Sequence, residues 1–245
     1  LAQLTMSRVG TNLVLAHPNG LDTTTIIDQF RYSFDVNGID FLQFSDGTKL
    51  SLSMYGILTK GGASNDTLDG YAIDDEIYGY AGNDVIRGFG SIDHIYGGDG
   101  NDTIDGGDGD DEIYGEAGND VINGGSGNDY IMAGSGDDSV SGGDGNDRIF
   151  SESGSDSLWG GAGDDILQIQ GTSGLAILKG EAGNDDLSTS GGVSSISGDF
   201  DGGAGNDKMQ GTSAQDIYRP SSGLDTITEP YPADAAPLVQ DRVVL

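Results

Sequence analysis

Aspartate recurs at every ninth position from Asp66 to Asp165, a spacing that could bring many carboxylates into register. Glycines precede these aspartates, and close approach of the glycine backbone would add carbonyl oxygens to each carboxylate. Carboxylate and carbonyl oxygens are ligands for hard cations, and their flexible arrangement favours Ca²⁺ over the strict octahedron of Mg²⁺. The spaced aspartates are therefore candidate ligands for hard cations, with Ca²⁺ favoured over Mg²⁺.

The aspartates belong to a nine-residue repeat. Residues 61–168 form twelve unbroken rows: GGASNDTLD, GYAIDDEIY, GYAGNDVIR, GFGSIDHIY, GGDGNDTID, GGDGDDEIY, GEAGNDVIN, GGSGNDYIM, AGSGDDSVS, GGDGNDRIF, SESGSDSLW and GGAGDDILQ. Position six is Asp and position eight is Ile, Leu or Val in every row. Glycine is common at positions one, two and four, where we expect positive φ and close carbonyl approach. Six further rows follow small insertions at residues 169–170 and 189–192, and two of them carry Ala176 and Gly198 at position six.

The last three residues of each row should form a short strand. The period of two in a strand directs position eight inward and positions seven and nine outward, so the core is one apolar residue per row. Over residues 61–228 the rows resemble the glycine-rich nonapeptide repeats of RTX proteins. The resemblance implies an all-β fold, a right-handed parallel β-roll or β-helix solenoid with two rows per turn. Eighteen rows then give about nine turns and a length of roughly 40 Å.

Alternate rows should place their aspartates at opposite edges of the roll, which we call edge A and edge B. Edge A holds Asp66, Asp84, Asp102, Asp120, Asp138 and Asp156, is interrupted at Ala176 and Gly198, and resumes at Asp216. Edge B holds Asp75, Asp93, Asp111, Asp129, Asp147, Asp165, Asp185, Asp207 and Asp225.

The resemblance implies that each Ca²⁺ lies between adjacent loops of one edge, bound by position-six carboxylates and loop carbonyls. It assigns metal-binding roles to these aspartates and to the loop glycines Gly97, Gly98, Gly100, Gly106, Gly107, Gly109, Gly124, Gly125, Gly127, Gly142, Gly143 and Gly145. Five neighbouring pairs on edge A and eight on edge B set an upper limit of about thirteen ions. Weaker sites are expected where glycine is replaced, by Tyr71 and Ile73, by Phe89 and Ser91, and by Ser151 and Glu152.

Composition makes the metal decisive for folding. The chain carries 41 acidic and 10 basic residues, a net charge of −31, and 44 glycines, a balance typical of disordered chains and unsuited to nucleic acid. It has no cysteine for disulfides or thiolate ligands, no signal-peptide pattern and no apolar run near the roughly 18 residues that span a bilayer. Thirteen Ca²⁺ ions would cancel most of the charge. We therefore predict that the repeats are unfolded without calcium.

The flanking segments lack the repeat. The alternation of residues 1–60 predicts short strands. The RVGTNLVL and FSDGT segments resemble a small β-rich module found beside RTX repeats. Such a module could cap the first turn or form a separate binding site. Residues 229–245 hold three of the five prolines and are expected to close the other end. Because the chain opens and ends within apparent strands, we expect it to be part of a longer protein.

Position nine on the edge B strands is aromatic or apolar. Tyr78, Tyr96, Tyr114, Met132 and Phe150 should form a ladder on one outer face, whereas the corresponding edge A positions are mostly polar. Two interpretations remain open: stacking within the sheet, or an interface with a neighbouring domain or another chain.

The sequence gives no support for catalysis. His17 and His94 lie in no zinc motif, no nucleophile elbow occurs, and the glycine runs lack the lysine of a phosphate loop. The RTX resemblance implies secretion from a Gram-negative bacterium by a type I system. Two roles follow as alternatives: a calcium-dependent folding and secretion module of an extracellular RTX protein, or a structural or adhesive module of a cell-surface adhesin.

Overall fold

The structure is a computed structural model that describes residues 5–9, 12–16, 23–26, 41–43, 49–51, 57–171, 174–190, 196–212, 216–228 and 242–243. These residues contain 25 β-strands and no helix, which confirms the all-β class. His17 lies outside the described residues.

Five short strands precede the repeats. An antiparallel sheet is formed by β1 (Thr5–Val9), β2 (Asn12–Ala16) and β3 (Thr23–Ile26), and a second antiparallel pair by β4 (Phe41–Gln43) and β5 (Lys49–Ser51). They fall within residues 1–60, where alternating strands were predicted. The capping role of this segment stays a prediction, as does the division at residues 60 and 228.

The repeats form two parallel ten-stranded sheets, here called sheet A and sheet B after the edge that leads into each. Sheet A comprises β7 (Thr67–Asp69), β9 (Val85–Gly90), β11 (Thr103–Asp108), β13 (Val121–Ser126), β15 (Ser139–Asp144), β17 (Ser157–Ala162), β19 (Gly174–Ala182), β21 (Ile196–Asp201), β23 (Ile217–Arg219) and β25 (Arg242–Val243). Sheet B comprises β6 (Ile57–Lys60), β8 (Asp75–Ala81), β10 (His94–Asp99), β12 (Glu112–Ala117), β14 (Tyr130–Ser135), β16 (Arg148–Ser151), β18 (Ile166–Gln170), β20 (Asp186–Ser190), β22 (Lys208–Gln210) and β24 (Thr226–Thr228).

Each strand pairs with the strand one full turn away. Ile95 of β10 aligns with Ile77 of β8 and Ile113 of β12, 18 residues before and after it. Two rows therefore make one turn, and the parallel solenoid of about nine turns is confirmed. Leu167 aligns with Leu187, 20 residues on, so the insertion lengthens the chain without shifting the pairing register.

The core contains more than the apolar position. Position eight is buried as predicted, from Leu68 to Tyr218, and Ile227 in the last row is partly buried. Strand alternation also turns positions six and one inward, as Asp93, Ile95 and Gly97 illustrate. The interior is thus layered, with a carboxylate, an aliphatic side chain and a glycine in a typical row.

Candidate metal-binding edges

The aspartates of each edge form a continuous hydrogen-bonded column. The backbone N–H of Asp93 donates to Oδ1 of Asp111, and that of Asp111 to Oδ1 of Asp129, each over 2.8 Å. Edge A repeats the arrangement, with the Asp102 N–H donating to Asp120 Oδ1 over 2.8 Å. One oxygen of each carboxylate therefore links neighbouring turns. The predicted stacking of position six at two edges is present in the structure.

The second carboxylate oxygen is buried without a hydrogen-bond donor. Among the described residues, Oδ2 has no hydrogen-bond partner in Asp84, Asp93, Asp102, Asp111, Asp120, Asp129, Asp138, Asp147, Asp165 and Asp185. A buried carboxylate oxygen without a donor is costly, and native structures normally provide a partner. Such repeated oxygen atoms without a hydrogen-bond donor are candidate ligands for cations.

Backbone oxygens converge beside these carboxylates. A methyl group built on Gly106 would lie 2.5 Å from Asp111 Oδ2 and 2.6 Å from the carbonyl oxygen of Gly124 in the next turn. Two acceptor oxygens thus lie close to the same glycine, and Cδ1 of Ile113 lies 3.0 Å from the same methyl position. No three Asp, Glu, His or Cys side chains cluster as a metal centre in the described part of the chain. A site here would therefore depend on carbonyls as well as carboxylates, a donor set suited to Ca²⁺.

The loop glycines have two different roles. At positions two and four they have positive φ, 112° at Gly98 and 135° at Gly100, and the predicted Gly107, Gly109, Gly125, Gly127, Gly143 and Gly145 do the same. The expectation of positive φ at position one is wrong, because Gly97, Gly106, Gly124 and Gly142 are outside that region. Position one is glycine for lack of space, since its Cα faces the inward carboxylate.

Several loops have the same positive φ at residues other than glycine. Tyr80, Phe89, Glu116 and Glu181 occupy position two with φ between 74° and 80°, and Ser91 occupies position four with φ of 83°. The loop of residues 88–93, expected to be weaker, therefore has the regular conformation at the expense of backbone strain. Tyr71, Ile73 and Glu152 do not adopt positive φ.

Loops at the ends of the columns satisfy their own carboxylates. Position-two N–H groups donate to Oδ2 of the same loop at Asp66 over 2.7 Å, at Asp75 over 2.5 Å and at Asp225 over 3.1 Å. Position two is not left-handed in these loops. The left-handed turn and the donor-free Oδ2 therefore occur together in the interior of each column.

A second ladder, absent from the sequence prediction, runs along position five. The Asn101 N–H donates to Asn83 Oδ1 over 3.0 Å, and the Asn119 N–H to Asn101 Oδ1 over 2.9 Å. Its bonds point toward the preceding turn, opposite to those of position six. Its signal was present, because ten of the twelve regular rows have Asn or Asp at position five.

Burial raises the pKa of the inward carboxyls. The pKa of Asp93 rises to about 8 and those of Asp120 and Asp129 to about 7, chiefly because burial disfavours the charged form. Neighbouring aspartates of the same column raise these values further, while the backbone N–H donors lower them. Among the described residues, the ion pairs of Arg87, Lys208 and Arg219 involve aspartates outside the two columns: Asp69, Asp186 and Asp199.

The outer face of sheet B carries the predicted aromatic ladder. Tyr78 and Tyr96 stack with ring centroids 4.7 Å apart, and Tyr96 and Tyr114 with centroids 5.0 Å apart. Met132 and Phe150 continue it in the pairing register. Tyr130 joins from position seven, 5.6 Å from Phe150. Stacking within the sheet is confirmed, and the interface stays a prediction.

Comparison with known proteins identifies the repeat. The sequence model of the RTX calcium-binding nonapeptide repeat (4 copies) matches residues 60–88, 87–122, 105–140, 123–158, 141–167, 168–196 and 197–227. No curated protein gives a significant match. Within the described residues, no helix is long and apolar enough to cross a membrane.

Proposed function

The chain belongs to the RTX calcium-binding nonapeptide repeat family, and from this premise we propose that edges A and B bind rows of Ca²⁺ between successive turns. The observation that carries the proposal is the series of buried Oδ2 atoms without donors. Wherever position one of such a loop is glycine, from Gly79 to Gly180, Oδ2 lies beside a backbone carbonyl of the next turn. The position-six aspartates and the carbonyls of the glycine loops would hold the ions. Bound Ca²⁺ would supply positive charge between the turns.

The loops divide the sites into two classes. Positive φ at both positions two and four occurs in four consecutive edge A loops, from residue 79 to 138, and in seven consecutive edge B loops, from residue 88 to 207. Neighbouring pairs of such loops number three on edge A and six on edge B. We assign about nine strong sites to these pairs. The remaining four of the thirteen pairs involve an irregular loop and would bind Ca²⁺ weakly.

The proposed biological role is a calcium-dependent folding module of a larger extracellular protein. Its support is electrostatic, since 41 acidic residues against 10 basic ones repel one another in the metal-free chain. Scarce cytosolic calcium would keep the repeats extended for type I secretion. The external concentration suits affinities of about 10⁻⁴ to 10⁻³ M, typical of extracellular calcium modules.

A structural or adhesive module of a surface protein is the second candidate. It is favoured by the outer face of sheet B, where Tyr80 and Tyr130 remain 48% and 36% exposed beside the stacked ladder. Neither of these two roles requires catalysis, and we propose that this segment is not an enzyme.

Calcium removal tests the proposal. We expect EDTA to abolish the β-sheet signal in circular dichroism and excess Ca²⁺ to restore it, with equal Mg²⁺ as the matched control that restores little. Equilibrium dialysis should then count about nine tightly bound ions and a weaker group. An unchanged β spectrum in EDTA, or fewer than three bound ions, would contradict it.

A further inference from the structure

The outer face of sheet B carries an apolar stripe whose central ring is covered on both faces. Tyr96 stacks between Tyr78 and Tyr114, with interplanar angles of 6° and 2°. A flat ligand therefore finds no open face on this ring, whereas a second flat protein surface can cover the whole stripe. Beside it, Tyr80 is 48% exposed and Tyr130 is 36% exposed. Exposed apolar stripes of this kind mark protein interfaces.

At position nine the outer face of sheet A is polar in the corresponding turns. Arg87 pairs with Asp69 over 3.0 Å, and the Asn123 side-chain amide donates to Asp105 over 2.8 Å. These polar groups satisfy one another within the sheet. The stripe at position nine is therefore a property of sheet B.

Position two of the loops adds an alternation of size to the outer face of sheet B. Tyr80, Gly98, Glu116 and Gly134 occupy it in four successive turns and align in the pairing register. A second sheet B can be laid face to face over the first with its turns in the opposite order. Tyr80 can then lie opposite Gly134, and Glu116 opposite Gly98. Each large side chain in these turns meets a glycine of the other copy.

The same alignment matches the apolar stripe. It places Tyr96 opposite Tyr114 and Tyr78 opposite Met132, in both directions across the interface. Aromatic pairs and sulfur–aromatic contacts are both favourable. One alignment thus satisfies position two and position nine together.

The charged groups of these four turns, from β8 to β14, fit the alignment as well. At position seven it places Glu112 opposite His94, and Glu76 opposite Tyr130. With Glu116 opposite Gly98, every carboxylate on the outer face of these turns faces a group other than a carboxylate. Like charges that face each other across an interface are costly, so this pattern favours self-association.

We propose that two copies of the chain associate through the outer faces of sheet B, with their strands pointing the same way and their turns in opposite order. The two-fold axis runs along the strands, between the turns of Tyr96 and Tyr114, and gives a closed dimer. The overlap extends over six turns, from β6 to β16. At about 4.8 Å per turn and about 20 Å per strand it buries roughly 1,150 Å² in total, near the lower limit for a specific interface. We therefore expect a weak dimer with a dissociation constant of about 10 μM.

Sedimentation equilibrium of the full chain in excess calcium tests the association. Salt of about 0.15 M screens the repulsion between the acidic edges. The mass should rise toward twice that of one chain as the concentration goes from well below to well above the dissociation constant. Tyr96→Ser should weaken the dimer by about tenfold or more, because it removes a ring from the centre of both halves of the interface. Val121→Ser, at a residue 53% exposed on sheet A, is the matched control and should leave the association unchanged.

Cross-linking tests the alignment. The chain has no cysteine, and Lys60 and Arg148 lie at opposite ends of the overlap. A short bifunctional maleimide should join a mixture of Lys60→Cys and Arg148→Cys chains, because each of these sites lies opposite the turn that holds the other. Neither variant should be joined to itself, since its two sites lie about 24 Å apart along the roll.

Circular dichroism checks that every variant keeps its β-sheet signal, which separates loss of the dimer from loss of calcium-dependent folding. A monomer over the whole concentration range, or a dimer that Tyr96→Ser leaves intact, would overturn the proposal. Cross-linking of each single variant to itself as efficiently as in the mixture would overturn the opposite order of turns.

Discussion

Edge A and edge B begin alike and diverge after Asp156. Edge B keeps an aspartate at position six in every row to Asp225, whereas edge A has Ala176 and Gly198 at the next two positions. On edge A the ring of Phe200 occupies the space beside Gly198. Phe200 stacks on Tyr218 with centroids 5.1 Å apart, and both are fully buried.

A second exchange accompanies the first. The inward-facing residue that leads into each regular edge A loop is glycine, except for Ala133 and Ser151. In the two loops that contain Ala176 and Gly198, the corresponding residues are Ile169 and Thr189. Both residues come from the small insertions. In the regular loops the two inward residues are glycine and aspartate. In these two loops they are replaced by a larger residue, Ile169 or Thr189, and a smaller one, Ala176 or Gly198. We call the apolar residues Ile169, Ala176, Ile196 and Phe200 the apolar plug.

The comparison shows two ways of filling the same interior. Under the proposed function a carboxylate column would be stabilised by bound cations, whereas the apolar plug is stabilised by burial and packing. Both support the same pairing register, since Leu178 aligns with Phe200 as Leu158 aligns with Leu178. The solenoid therefore tolerates either chemistry at one edge while edge B continues without a break.

The largest expected effect comes from the apolar plug. Phe200→Ala should lower the free energy of unfolding by about 3 to 5 kcal/mol, because a fully buried ring leaves a cavity. Guanidinium unfolding in excess calcium measures this. The number of bound ions should not change. Phe150→Ala, on the half-exposed outer face, is the matched control with a smaller loss. A reduced ion count in Phe200→Ala would contradict the separation of plug and columns.

A substitution in a carboxylate column should, by contrast, change the number of bound ions. Asp129→Asn keeps an oxygen for the Asp111 N–H but removes a charge that two neighbouring sites would share. We expect two fewer bound ions and, at tenfold excess of calcium over the dissociation constant, a loss of about 3 kcal/mol. Asp105→Asn makes the same charge change at an exposed position and should change neither quantity. Unaltered stoichiometry in Asp129→Asn would remove that residue from the ligand set.

The repeated features of both edges were predictable from the sequence. The buried position eight follows from the fixed period of nine. The turn count, the aspartate columns and the tyrosine ladder follow from that period together with the two rows per turn that the RTX resemblance implies. The apolar plug was visible only as missing aspartates, because the insertions hide the fact that Ile169 and Thr189 face inward. Left-handed Tyr80, Glu116 and Glu181 contradict residue preference, and Ile57–Lys60 joins sheet B without any repeat signal.

A change of pH should distinguish the carboxylate columns of both edges from the apolar plug. In the metal-free fold, burial raises the pKa of Asp93 to about 8 and that of Asp165 to about 7, above the value of about 4 in an unfolded chain. Between these values the folded state binds more protons, so the stability of the metal-free roll falls as pH rises from about 4 to 8.

Calcium binding has the reverse dependence, because Ca²⁺ requires the ionised carboxylates and competes with protons. The calcium concentration at half-folding should decrease steadily from pH 5.5 to 8, as followed by circular dichroism. The apolar plug has no titrating side chain, so Phe200→Ala should shift stability without altering this slope. A midpoint independent of pH would show that the buried carboxyls do not bind the ions.

The smallest expected effect distinguishes two loops within edge A. Glu116 is left-handed with φ of 75°, whereas Glu152, in the last loop before the apolar plug, is not. Glycine relieves the strain only at the first, so Glu116→Gly should raise the free energy of unfolding in excess calcium by about 0.5 to 1 kcal/mol. Glu152→Gly should lower it by a similar amount, because glycine is more flexible in the unfolded chain. Shifts of the same sign in chemical unfolding would mean that backbone strain does not distinguish the regular loops from the loop beside the plug.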